Sequence, residues 1–262
     1  MPIVFSAIVP HSPLLIPTIG KENLKKLEAT KNAFKKLEEN LYASRAETII
    51  VFSPHGLIQS NSFSMNLSPG FLGNFEEFGD FSTKFSLAGD IGLAYRIREK
   101  LEAKVPLQLI SETKLDYGSA VPLYLLTAQM PRIKVIPIYY AGLDLASHYQ
   151  LGHLLRQEIL SHKDRVAIIA SGDLSHRLSK DAPAGYSAKG KKFDKKIIES
   201  LEKFKIKDIL DMDHEFIREA CECGLKAIVM LLGILEPIKC EPQKLSYEAP
   251  FGVGYLVMNF KL

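Results

Sequence analysis

Four short runs constrain this chain more than anything else in it. Ile3 to Val9, Thr48 to Phe52, Ile133 to Tyr140 and Val166 to Ala170 are almost wholly apolar and rich in β-branched residues. A strand with one wet face alternates apolar and polar positions, so near-continuous runs fit strands buried on both faces. Between them lie segments of helical period. Leu24, Leu27, Phe34, Leu37 and Leu41 fall near one face of a helix whose other face carries lysines and glutamates. Further helices are expected near residues 89–102, 119–130, 144–161, 189–203 and 223–235, with strands at Leu107 to Ile110 and in the tail Gly252 to Phe260. Strands that alternate with helices predict an α/β fold, a single domain over residues 1–262 with a largely parallel central sheet flanked by helices on both faces. Residues 56–87, rich in Ser, Asn, Gly and Phe, read as a hairpin excursion or a substrate-side lid.

Charge and composition narrow the function classes. The net charge of +3, from 33 basic and 30 acidic residues, gives no basis for a nucleic-acid or acidic-membrane partner. The apolar amino terminus lacks a basic start and is broken by prolines at 2, 10, 13 and 17, so it reads as a strand and loop rather than a secretory leader. No stretch approaches the roughly 20 apolar residues of a membrane-spanning helix. Cys221, Cys223 and Cys240 form an odd, sparse set that suits a reducing compartment. A cytoplasmic protein is expected.

Two of the apolar runs end alike, in Pro10-His11 and Pro54-His55. Each imidazole would stand just past the carboxyl end of a strand, the edge of a parallel sheet where ligands bind. Val166 to Ala170 leads likewise into Ser171-Gly172-Asp173-Leu174-Ser175-His176, which would bring a third histidine to the same crevice. One loop histidine is most simply a backbone-bonded side chain; three at strand ends point to a metal. A carboxylate completing two imidazoles is the arrangement of non-heme iron oxygenases. Glu222, directly before the apolar helix LKAIVMLLGIL, is the candidate, since a glutamate against such a helix is exposed, paired or metal-bound. A solvated helix-start glutamate is the plain alternative. Glu248, before the last strand, is open to the same role. His148, His153 and His162 lie on or just beyond a predicted helix and read as structural or exposed, while His214 begins a short helix.

The segments AIVPHSPLL, VFSPHG, SGDLSH and ECGLKAIVMLLG, in this order, together resemble the catalytic (B) subunit of class III extradiol ring-cleavage dioxygenases, the group that includes protocatechuate 4,5-dioxygenase. The resemblance runs from about residue 3 to 257. It implies Fe(II) held by His11, His55 and Glu222, with a catechol-like or aminophenol-like substrate and O2 at the open positions. His176 would serve as the catalytic base for the diol and later as an acid. Tyr117 stands where many members carry histidine, in Asp116-Tyr117-Gly118, and would contact substrate; a phenol donates a hydrogen bond but does not replace an imidazole as proton shuttle. The Memo-like proteins, distant relatives, carry Cys-Gly in the region of Cys223-Gly224, and a thiolate ligand favours zinc or another softer divalent metal. The competing expectation is therefore a Memo-like metal-binding or interaction protein without ring cleavage. Neither expectation fixes whether the chain works as a homo-oligomer or with a small companion subunit.

Overall fold

The computed structural model describes residues 2–161 and 163–262, so His162 lies outside the described residues. β1 (Ile3–Val9) is followed by α1 (Pro17–Gly20) and the long α2 (Glu28–Ser44). β2 (Thr48–Ser53) leads into β3 (Phe63–Asn66), the hairpin of β4 (Gly70–Phe75) and β5 (Asp80–Gly89), and α3 (Ile91–Leu101). The alternation continues through β6 (Leu107–Ile110), α4 (Tyr117–Leu126), β7 (Lys134–Tyr139), α5 (Leu145–Leu160) and β8 (Val166–Ser171). The helices α6 (Ala188–Glu202), α7 (Ile206–Leu210), α8 (His214–Ala220) and α9 (Leu225–Leu235) precede the closing strands β9 (Glu241–Glu248) and β10 (Tyr255–Lys261).

These strands form one ten-stranded sheet in the order β4-β5-β7-β2-β8-β1-β10-β9, with β3 and β6 off that path. The centre is parallel: β8 lies between β1 and β2, and β2 pairs β7. The edges turn antiparallel, at β1 with β10, β10 with β9, and β4 with β5. Both faces are covered, as the apolar runs require. In β2, Ile49 and Val51 join Phe34, Leu37 and Leu41 of α2 on one side, while Ile50 and Phe52 join Leu93 of α3, Leu151 and Leu155 of α5 and Ile228 of α9 on the other. Each such side chain, fully buried, contributes about 1.5–3 kcal/mol. The chain is thus a single α/β domain of the expected kind, with residues 56–87 holding β3 and most of the β4–β5 hairpin. Among the described residues no helix is long and apolar enough to cross a membrane.

Strand register sets where the loops of the sheet emerge. Val9 pairs with Ser171, Phe52 with Ala170 and Ser53 with Tyr139, so β1, β8, β2 and β7 end level with one another.

Candidate metal centre

Because the central strands end level, the residues just past them meet. His11, Asp173 and His55 each follow the last residue of their strand, Val9, Ser171 and Ser53, by two positions. The backbone N–H of His11 donates to Asp173 Oδ1 at 3.1 Å, which ties the first loop to the third. The Nε2 atoms of His11 and His55 lie 3.0 Å apart, with the rings perpendicular at 89°. Tyr117, the first residue of α4, stacks on His55 with ring centroids 4.2 Å apart and its hydroxyl 2.8 Å from His55 Nε2. Asp116 fixes that helix start by accepting from Ser119 N, and it also accepts from Ser53 Oγ at the end of β2.

Ser171 settles the tautomer of His11. Its hydroxyl lies 2.5 Å from Gly118 O and 3.1 Å from His11 Nδ1. A carbonyl only accepts, so the one hydroxyl proton goes to Gly118, and His11 Nδ1–H must donate to Ser171 Oγ. Nε2 of His11 is then the bare nitrogen, facing His55. Burial keeps both rings neutral: desolvation first, then the neighbouring imidazoles, push His11 and His55 down to about 3, with Asp173 opposing this at His55. Neutral imidazoles are the form a metal requires. Their 3.0 Å spacing is roughly what two nitrogens keep when each sits about 2.1 Å from a shared ion. The residues present therefore fit a divalent metal.

The third ligand is where sequence and geometry part. Cys223 Sγ lies 3.5 Å from His11 Nε2, and ligand atoms of His11, His55 and Cys223 all fall within 4.8 Å of one another. Burial raises the Cys223 thiol, and the charges of Asp173 and Glu222 raise it further. Glu222, the residue before it, turns the other way: its carboxylate accepts Leu225 N of α9 at 2.5 Å and belongs to neither ligand group found among the described residues. Burial carries that carboxyl up to about 7, against the pull of the helix amides and Lys226. Adjacent residues entering a helix diverge, so only one of the two faces the histidines. Glu248 is farther removed in role, accepting Thr30 N at the start of α2.

His176 joins Asp173 and Cys223 in a second group within 4.8 Å, and its buried Nδ1 has no hydrogen-bond partner among the described residues. Asp173, fully buried with its carboxyl raised by desolvation, lies 3.9 Å from His11 Nε2. Sequence reasoning passed over Asp173 and Ser171, although both stand in the SGDLSH turn that singled out His176. The shared spacing of two residues past a strand was the signal for Asp173. His148 is structural, held between Asp144 O and Ala141 N.

A cavity of about 420 Å³ adjoins the cluster, lined by His55, Leu57, Glu77, Lys114, Tyr117 and Tyr139 among others. A larger one, about 1320 Å³, lies at the opposite edge of the sheet, where Thr48 and Lys134 begin β2 and β7. Its size does not make it the site, since no histidine lines it.

Over residues 6–258 the chain matches a family model, LigB, described as the catalytic LigB subunit of aromatic ring-opening dioxygenase. It is 30% identical over 264 residues to Protein CA_C1420 of Clostridium acetobutylicum, covering 97% of this chain but 56% of that protein, so it spans little more than half that relative's length. It is also 30% identical over 206 residues to a 3,4-dihydroxyphenylacetate 2,3-dioxygenase of Escherichia coli, covering 72% of this chain and 74% of that enzyme. The crystal structure of an uncharacterised Escherichia coli K12 protein superposes with a TM-score of 0.69 over 98% of this chain and 99% of its own, and at 16% identity that shows a shared fold alone.

Proposed function

The chain belongs to the LigB family, and from that premise we propose that it is a metal-dependent extradiol dioxygenase that uses O2 to open the ring of a catechol-like or aminophenol-like aromatic. What supports this most is the meeting of two neutral imidazoles at 3.0 Å, with a third histidine on the adjoining turn. His11 and His55 would hold the ion. Fe(II), when bound, would supply the Lewis-acid and redox chemistry that lets a diol and O2 react.

The chain's own residues do the rest. Ser171 holds His11 with Nε2 toward the ion, and Asp173 holds its backbone. His176, with Nδ1 lacking a partner among the described residues, takes a proton from the diol and returns one later, as a positioned imidazole does. Tyr117, which lines the adjoining cavity, faces the substrate. On this reading a carboxylate completes the ligand set: Glu222, released from Leu225, or Asp173, the carboxylate beside His11.

Cys223 favours a second reading. A thiolate so close to His11 would select zinc or another soft metal, and the chain would then be a Memo-like metal-binding protein without ring cleavage. Metal analysis of anaerobically purified Glu222→Ala, Asp173→Ala and Cys223→Ala separates the two. Iron lost with a carboxylate, together with oxygen uptake on catechols that His55→Ala abolishes, supports the dioxygenase. Iron-loaded protein that binds no diol and consumes no oxygen across a broad aromatic panel contradicts it.

A further inference from the structure

We propose that the phenol oxygen of Tyr117 is a further ligand of the ion held by His11 and His55, occupying a position that a substrate oxygen takes over. The proposal rests on the metal reading above and names one more donor for the same site. Spacing is its basis: the oxygen is 2.8 Å from His55 Nε2, against 3.0 Å between the two imidazole nitrogens, the separation of neighbouring donors on one small ion. The two rings lie within 21° of parallel, so the phenol rests against the flank of the imidazole. Without an ion the phenol oxygen and His55 Nε2 share a hydrogen bond, and an ion bound to both would replace the proton between them. Tyrosine oxygen is a known ligand of protein-bound iron.

The backbone holds the phenol there from both sides. Asp116 caps the helix at Ser119, and Gly118 passes so close to β2 that a Cβ would meet Ser53 Oγ at 2.5 Å. Gly118 O accepts the same Ser171 hydroxyl that sets the His11 tautomer. Phe78 packs edge-on against the Tyr117 ring at 5.2 Å, and the 420 Å³ cavity that the ring lines gives a substrate access to the same position.

Zinc titration of the whole protein, followed by near-ultraviolet difference absorbance, tests this directly, because an ion that binds a phenol displaces its proton. The expected result is the signal of one ionised tyrosine, out of ten in the chain, per zinc bound. Tyr117→Phe should lose the signal and bind zinc about ten-fold or more weakly, while Tyr42→Phe and Tyr186→Phe, at exposed positions, keep both. Zinc uptake without a tyrosine signal overturns the proposal and leaves the metal reading standing. No zinc uptake by the wild type overturns both.

Discussion

Ser171 does more for the candidate centre than its size suggests, since one hydroxyl orients His11 and anchors the start of α4 through Gly118. Ser171→Ala should leave two buried polar groups unpaired, at about 1–3 kcal/mol each, and free the imidazole to adopt either tautomer. Metal affinity in a competition titration should fall roughly 10–100-fold, the usual scale for losing the partner of a ligand histidine. An unchanged affinity would mean that Ser171 does not orient the ligand. Asp194 gives a test of a different kind. It is buried, accepts Ser175 N and Tyr247 Oη, and burial carries its carboxyl up to about 7. A folded value above the unfolded one, about 4, means its contribution to stability is full at low pH and lost as pH rises through 7. Relative to wild type, Asp194→Asn should therefore gain stability between about pH 4.5 and 7.5 in denaturant titrations; a constant difference would refute the shift. At this scale the sequence displayed the histidines, because each follows an apolar run. It hid the choice between Glu222 and Cys223, which depends on how one turn enters α9, and it hid Ser171, whose role needs a carbonyl 53 residues away.

Among elements, the contact that builds the site is the clasp between the turn after β8 and the start of α9. Gly172 and Gly224 pass so closely that a Cβ on Gly172 would collide with Gly224 Cα, and Cys223 N and Gly224 N both donate to Asp173 O. Backbone on both sides cannot yield as a flexible side chain would. Gly172→Ala should cost on the order of 1–3 kcal/mol or more and move Cys223 away from His11, seen as a lower melting temperature and weaker metal binding. Gly185→Ala is the control: at φ +74° with nothing within 4 Å, it should cost only about 1 kcal/mol of conformational strain and leave metal binding intact. Equal effects of the two would mean that the clasp does not matter. The central parallel strands were legible because burial on both faces leaves them few polar positions. β9 was not, since Glu241–Glu248 is an outer strand and EPQKLSYE shows no apolar run.

For the whole molecule, the fold and an ion should be coupled, because the ligands converge only when β1, β2 and β8 are aligned and α9 is docked. An ion present at about 100 times its dissociation constant would stabilise the folded state by about 2.7 kcal/mol. For a chain of this size that is a rise of roughly 5–10 °C in melting temperature, which His55→Ala should abolish. A melting curve indifferent to added iron or zinc would count against the coupling. The α/β architecture was readable from the chain, since its rule is the alternation of buried strands with amphipathic helices. The location of the candidate centre came from the same rule, at the carboxyl ends of the strands and away from the 1320 Å³ cavity at their other ends. Anomalous diffraction from crystals loaded anaerobically with Fe(II) is the most direct measurement of the central claim. It should show one ion within bonding distance of the Nε2 atoms of both His11 and His55; a peak elsewhere, or none at this pair, would contradict it.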